Sequence, residues 1–287
     1  MADIRGIRQR IRSIGSTEKI TRAMRMVAAA KLAGTQKDRA ESEPYYETLG
    51  SITRHLLADE HHYEHPLLTR QGEGTHVLVI FSSNRGLCGG YNLNLFRLAD
   101  HWLAERNDAG EPVVLMPLGH KAREHYGSHP ATRLILDVGP TDRPSYEEGR
   151  ILTDTLVKLY LEEKTASVTL LYTRFHSAIR QEAALTPLFP LEADEGHLSG
   201  TDYIFEPDSR QVVERILPRY VETLVYRALL ESKTSEHAAR MTAMDSASRA
   251  ARDMIRDLTV QLNRARQEAI TMELAEIVGG VEALKRT

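Results

Sequence analysis

Residues 85 to 92 are the part of the chain whose residue types and spacing point most directly to ligand chemistry. The stretch Arg85-Gly86-Leu87-Cys88-Gly89-Gly90-Tyr91-Asn92 follows the apolar run Val77–Phe81 and precedes a helical pattern. Phosphate-binding loops occupy this position, because a helix N-terminus offers free backbone N–H groups. The stretch lacks the lysine of the P-loop and the spacing of the dinucleotide fingerprint. We therefore interpret it as a tight strand-to-helix turn in which glycine supplies the backbone freedom.

Histidines near residue 60 have the spacing of a helical metal pair. His61 and His65 are four residues apart, and His62, Glu60 and Glu64 surround them. No third ligand can be placed and no catalytic motif surrounds the pair. We interpret the cluster as an exposed polar helix end.

Nucleophilic side chains also occur close together without a partner base. Ser82, Ser83 and Cys88 lie near one another in the sequence, but no histidine can be placed beside them. A single cysteine rules out an internal disulfide and a cysteine-based zinc site, and Cys88 is interpreted as a small buried hydrophobe. The sequence therefore predicts no catalytic residue, no cofactor and no metal site.

The elements around these residues alternate between strand and helix patterns from residue 75 to residue 195. Such alternation predicts an α/β, Rossmann-like domain with a mostly parallel sheet. The predicted strands are Val77–Phe81, Val113–Leu118, Leu134–Val138, Val168–Tyr172 and, as an edge strand containing Pro187, Ala183–Leu191. The predicted helices are Asn92–Glu105, Lys121–Tyr126 and Ser145–Glu162, with a loop over 192–208.

Before this domain, residues 3–57 have the pattern of a long helix. Its apolar seam has heptad spacing with one slip through Thr17. The seam residues are Ile4, Ile7, Ile11, Ile14, Ile20, Met24 and Val27. Pro44 is expected to kink or interrupt this helix near Glu43, because proline cannot donate the backbone hydrogen bond.

After the domain, a second long helix is predicted to start near Ser209, with a bend or a later start at Pro218. Its heptad seam consists of Ala251, Ile255, Leu258, Leu262, Ala265, Ala269 and Met272. A second apolar row consists of Ile270, Leu274, Ile277, Val281 and Leu284. A helix that is apolar on most faces must be enclosed. We therefore expect the tip to sit inside a sleeve made by other proteins.

These patterns together predict that the α/β domain is inserted between two long terminal helices that form an antiparallel coiled coil. The predicted boundaries are 1–60 for the first helix, 75–195 for the α/β domain and 209–287 for the last helix. The alternation of three- and four-residue steps in both helices is what a coiled coil requires.

The charge distribution adds a candidate surface. The chain has a net charge of −3, but its first 40 residues carry ten basic and three acidic side chains. This basic segment is either a solvated helix face or a surface for an acidic partner. No apolar run is long enough to span a membrane, and the start has no apolar signal core, so we expect a cytosolic location.

Three blocks of sequence carry a resemblance to a known family. They are Lys19–Leu32, Ser82–Asn92, and Ser235–Met241 taken with Arg266–Ile277. With these blocks the chain resembles the gamma subunit of F-type ATP synthases over essentially its whole length. Asn84, Ser246–Arg249 and Val278–Val281 depart from the family pattern. We interpret these departures as a divergent branch, the alternate sodium-translocating type.

The resemblance implies a non-catalytic central-stalk rotor that couples ion flow through a membrane ring to ATP synthesis or hydrolysis. Its implied partners are three alpha and three beta subunits, the epsilon subunit and the c-ring, at the cytoplasmic face of a bacterial or archaeal cell membrane. The residues implied to face the alpha/beta head are Met24, Arg25, Arg240, Arg266, Gln267, Thr271 and Glu273. Those implied to contact the ring and epsilon are Tyr203, Phe205 and Glu206.

Two other functions stay open from the residues alone. The first is an α/β nucleotide-binding protein with helical arms, which would need a phosphate loop better than residues 86–90. The second is a basic coiled-coil scaffold for nucleic acid, which would bind with an affinity that falls steeply with salt. No aromatic residue lies among the basic residues of the first 40, which counts against the second.

Overall fold

The computed structural model describes residues 4–58, 65–69, 74–133, 141–163, 165–191, 206 and 208–285. In chain order its elements are α1 (Ile4–Ala58), β1 (Thr75–Phe81), α2 (Tyr91–Asp108), β2 (Val113–Leu118), α3 (His120–Tyr126), α4 (Tyr146–Glu162), β3 (Thr165–Phe175), β4 (Gln181–Phe189) and α5 (Ser209–Lys285). They form two compact units. The smaller unit comprises Met1–Val27 and Met241–Thr287, and the larger unit comprises Ala28–Arg240. The division into three domains predicted above stays a prediction.

The larger unit is built on one four-stranded sheet in the order β2-β1-β3-β4. Strand β1 runs parallel to both β2 and β3, and β4 runs antiparallel to β3. The predicted mostly parallel sheet between two long helices is therefore confirmed. Pro187 lies in the edge strand β4, opposite Thr169 and next to a shift in register. Proline is tolerated there because an edge strand has fewer ladder bonds to lose.

Both faces of the sheet are buried, and β1 shows why. Val77, Val79 and Phe81 point into a core shared with α4 and α5, whereas Leu78 and Ile80 point into a core shared with α2 and α3. Successive side chains of a strand point to opposite faces, so a strand covered on both faces needs a continuous apolar run. The run of residues 77–81 meets this requirement.

Side-chain caps mark the starts of α4 and α5. Ser145 precedes α4, and its hydroxyl accepts from the Glu148 N–H while the Glu148 carboxylate accepts from the Ser145 N–H, which is a capping box. Asp208 accepts from the Gln211 N–H at 2.9 Å and so caps α5 in place of the predicted Ser209. The predicted strand Leu134–Val138 lies outside the described residues, as does most of the predicted loop.

Both long helices continue through an internal proline. Pro44 lies inside α1 and Pro218 inside α5, so the predicted interruption near Glu43 and the predicted later start of α5 are not found. Packing offsets the lost backbone hydrogen bond, because Leu217 and Val221, on either side of Pro218, are fully buried in the core. No described helix is long and apolar enough to cross a lipid bilayer.

Candidate partner-binding surfaces

In the smaller unit, the face of α1 that packs on α5 keeps heptad spacing from Ile4 to Thr21. The positions with this spacing are Ile4, Ile7, Ile11, Ile14, Glu18 and Thr21, all buried or half-buried. The predicted slip through Thr17 is therefore wrong, and Ile20 and Val27 are 60% and 56% exposed. The prediction failed because it followed the apolar residues, whereas two polar residues occupy the seam.

Glu18 is accommodated in this seam by three hydrogen bonds. Its carboxylate accepts from the Arg22 guanidinium, with Nε at 3.0 Å, and from the Ser248 hydroxyl of α5 at 3.2 Å. The Arg22 hydrogen bond is the main cause of a pKa below the ordinary range for Glu18, and partial desolvation opposes it. Arg25 lies 3.7 Å from Asp245, so rising numbers on α1 face falling numbers on α5. The pairing of these two segments is antiparallel, as predicted.

The matching seam of α5 agrees with the sequence prediction until close to its end. Its first six predicted members, Ala251, Ile255, Leu258, Leu262, Ala265 and Ala269, are all buried or half-buried. Met272, the seventh, is 57% exposed. In the described chain, other residues of the smaller unit therefore cover the α5 seam as far as Ala269 but leave Met272 exposed.

Beyond that point α5 carries an exposed apolar surface, which we call the apolar tip. It consists of Ile270, Met272, Leu274, Ile277, Val278 and Val281, each between 45% and 64% exposed. The side chain of Leu284 lies outside the described residues. An exposed apolar patch of this kind is a candidate interaction site. The enclosing sleeve itself stays a prediction.

The polar residues predicted to contact a partner divide between exposed and buried positions. Arg266, Gln267, Thr271 and Glu273 are exposed on the last turns of α5. The Thr271 hydroxyl donates to the Gln267 carbonyl at 2.9 Å. In the smaller unit Met24 is half-buried and Arg25 is exposed beside Asp245, as given above.

Arg240 belongs to the larger unit and has partners within the chain. Its side chain is 12% exposed, pairs with Glu236 at 2.8 Å, and donates to the carbonyls of Arg85 and Gly86 at 3.1 and 3.4 Å. Glu236 also pairs with the Lys233 ammonium at 2.7 Å, and both side chains are almost fully buried. Buried charges require such partners. The spacing of Lys233, Glu236 and Arg240 by three and four residues is a sequence signal for their pairing. The sequence gives no signal for the contact between Arg240 and the glycine-rich turn, because the turn is 155 residues away in the chain.

Two side-chain hydrogen bonds also hold the glycine-rich turn in place. The Tyr91 hydroxyl lies 2.7 Å from the Ser232 hydroxyl of α5, and the Asn92 amide donates to the Ser83 hydroxyl at 2.7 Å. Cys88 is buried, which raises the pKa of its thiol. Leu87 has φ +60° and is 62% exposed. The predicted tight turn is confirmed, and it presents Leu87 outward.

The remaining predicted sites fall largely outside the described residues. Tyr203 and Phe205 lie there, and Glu206 is exposed. Of the histidine cluster only His65 is described, and its Nδ1 accepts from the Leu67 N–H at 3.2 Å. Within the described ranges no three His, Cys, Asp or Glu side chains are grouped to hold a metal ion.

The chain matches known proteins over nearly its whole length. The family model described as ATP synthase matches residues 3–284. The ATP synthase gamma chain of Moorella thermoacetica is 43% identical, covering 99% of this chain and 100% of the relative. That of Desulfitobacterium hafniense is 41% identical, with the same coverage.

Solved structures show the same fold. A chain in the cryo-EM structure of the Euglena gracilis mitochondrial ATP synthase rotor matches with a TM-score of 0.65 at 19% identity, covering 93% of this chain and 98% of that chain. A chain of the Tetrahymena thermophila mitochondrial ATP synthase central stalk and c-ring matches with a TM-score of 0.56 at 22% identity, covering 80% and 99%. The family match and the relatives that are 43% and 41% identical over 99% of the chain establish that the chain belongs to the ATP synthase gamma chain family.

Proposed function

We propose that this chain is the central-stalk rotor of an ATP synthase, coupling ion flow through a membrane ring to ATP synthesis or hydrolysis in an alpha/beta head. The observation that carries the proposal is the apolar tip, where α5 continues past the end of its own seam. Such a surface needs a partner that excludes water from it. The Euglena and Tetrahymena neighbours are rotor and central-stalk chains, which supports the same role here.

The chemistry of the tip suits a shaft that turns inside a collar. Apolar contacts are non-directional, so one angular position of the helix differs little in energy from the next. Arg266 and Gln267 at the base of the tip can form directional hydrogen bonds, and an arginine fork on a carboxylate is a strong one. We expect these bonds to hold preferred angular positions. In this role the chain hydrolyses nothing itself, and the catalytic groups belong to the head.

The other contacts follow from the same proposal. We assign Tyr203, Phe205 and Glu206 to the foot that meets the c-ring and the epsilon subunit. The chain would then be peripheral at the cytoplasmic face of a bacterial or archaeal membrane. Its assignment to the sodium-translocating branch stays a prediction. The nucleotide-binding and nucleic-acid alternatives are supported by no specific contact in the described residues.

Co-expression with alpha and beta subunits of a close bacterial relative, followed by native mass spectrometry, tests the proposal. The expected particle contains one copy of this chain and three of each partner. The matched variant ends at Thr271, which removes most of the apolar tip but leaves Arg266 and Gln267 in place. We expect this variant to assemble less stably, with the larger unit still folded by circular dichroism. Intact alpha/beta complexes that never retain the full-length chain would contradict the proposal.

A further inference from the structure

A cleft of about 330 Å³ in the larger unit lies between α1, α5 and the strands β3 and β4. It is remote in sequence from the apolar tip and from the glycine-rich turn. Arg39, Arg174, Arg227 and Glu231 line it together with aromatic and aliphatic side chains. Three guanidinium groups therefore face one carboxylate in the described lining. A cleft with this surplus of positive charge favours an anion.

The three arginines differ in how completely they are paired. Arg227 donates to Glu43 at 2.9 Å and to Glu231 at 3.1 Å, and its guanidinium lies 3.9 Å from the centre of the Tyr46 ring. Arg39 approaches Glu231 only to 3.8 Å. The single carboxylate of the lining is therefore committed mainly to Arg227.

The other two arginines are less completely paired. Arg174 is exposed, donates to the neutral hydroxyl of Thr186 at 3.1 Å, and makes no ion pair within the described ranges. Arg39 has no carboxylate closer than Glu231, and its buried Nε has no hydrogen-bond acceptor in the described chain. The positive charge of these two guanidinium groups is therefore incompletely balanced, which favours a bound anion.

Apart from His176 and Thr186, the rest of the lining is aliphatic or aromatic. Leu170, Leu188 and Leu224 contribute aliphatic surface, and Phe175 contributes an aromatic ring with the Arg39 guanidinium 6.0 Å from its centre. Small-molecule sites have this composition, apolar walls with a few convergent polar groups, and volumes from about 300 Å³ upward. An inorganic ion would leave these walls unused.

We propose that this cleft binds a small organic carboxylate whose apolar body is about the size of one aromatic ring. The carboxylate accepts from the exposed guanidinium of Arg174 and is attracted by the positive charge of Arg39, and the apolar body packs on the leucines and Phe175. A carboxylate matches the planar fork of a guanidinium, which makes these hydrogen bonds strong and directional. Since the cleft joins α1, α5 and the sheet, the ligand would stabilise the larger unit. This inference does not depend on the rotor role.

Calorimetric titration of the full-length chain with 3-phenylpropionate tests the proposal, with the neutral 3-phenylpropanol as the matched ligand. We expect the carboxylate to bind at least tenfold more tightly than the alcohol. Arg174→Gln should weaken carboxylate binding about tenfold, which corresponds to the loss of one charged contact. Arg180→Gln is the control, because Arg180 lies on the same hairpin, is 75% exposed and does not line the cleft.

Three results would overturn the proposal. The first is no binding of the carboxylate at millimolar concentration by the folded wild-type chain. The second is equal affinity for the acid and the alcohol, which would indicate an apolar cleft only. The third is an equal loss of affinity in the Arg174 and Arg180 variants, which would indicate general attraction to a basic surface. Thermal unfolding of both variants is measured as a control. If both unfold at the wild-type temperature, a change in affinity reflects the cleft and not a loss of folding.

Discussion

Glu18 of α1 and Ser248 of α5 face each other across the smaller unit at 3.2 Å, at a seam position that a coiled coil usually fills with an apolar residue. Both side chains are buried. A polar pair at one seam position favours a single register, because any shift would leave a carboxylate buried without its donors. The register of the two helices is therefore defined at this point by hydrogen bonds as well as by apolar packing.

The Glu18 carboxylate should make the unfolding of the smaller unit depend on pH. Its pKa in the folded chain lies below the ordinary 4.5. The stabilisation is therefore fully present above pH 4.5 and is lost as the pH falls through the lowered folded pKa. Urea unfolding followed by helicity should show Glu18→Gln less stable than wild type at pH 7, with the difference shrinking towards low pH. Glu268→Gln, at an exposed position of the same unit, is the control. A constant difference at all pH values would contradict the assignment.

Two isoleucines nine residues apart test the heptad seam of α1 from Ile4 to Thr21. Ile11 is half-buried in the seam, whereas Ile20 is largely exposed. Ile11→Ala should destabilise the helical pair by about 1–3 kcal/mol, because it leaves a partial cavity. Ile20→Ala should change stability by less than about 0.5 kcal/mol. Thermal melts of helicity measure both, and a larger effect at Ile20 would restore the seam with the slip through Thr17.

Arg240 is expected to act on the fold of the glycine-rich turn. Arg240→Ala removes the donor to the Arg85 and Gly86 carbonyls and leaves Glu236 with only Lys233, so it should cost on the order of 2 kcal/mol. Amide hydrogen exchange should accelerate in residues 85–90. The matched control is Arg266→Ala, which removes an exposed arginine from the same helix. Unchanged exchange in the turn would show that the hydrogen bonds of Tyr91 and Asn92 hold it without Arg240.

Arg266, in contrast to Arg240, is expected to act on contacts with partner subunits and not on the fold of the chain. Because its side chain is exposed at the base of the apolar tip, Arg266→Ala should leave the helicity and melting of the isolated chain unchanged. ATP turnover by the complex with alpha and beta subunits should fall several-fold if the guanidinium bonds to the head. Arg256→Ala, at an exposed position ten residues earlier on α5, is the control. Turnover equal to that of wild type would remove Arg266 from the contact surface.

The sequence predicted those elements whose signal is local. The strand Val113–Leu118 agrees with the structure, because a continuous apolar run suffices to identify it. The start of α5 near residue 209 also agrees, although its cap is Asp208 and not Ser209. It failed where the signal was polar or remote. Glu18 and Thr21 are not recognisable as seam positions until their partners on α5 are known. The position of Arg240 depends on a turn 155 residues away in the chain.

The hydrogen bonds from α5 to other elements also have a mechanical consequence. They lie on and next to the stretch where every side chain from Glu231 to Ala238 is buried. The Ser235 hydroxyl donates to the Thr173 carbonyl of β3 at 3.0 Å, and the Ser232 hydroxyl lies 2.7 Å from that of Tyr91. Turning the helix by one residue about its own axis would move these side chains by about 100° and break the bonds. Apolar packing is non-directional and would resist such a turn less, so these bonds oppose rotation of this stretch of α5 against the sheet.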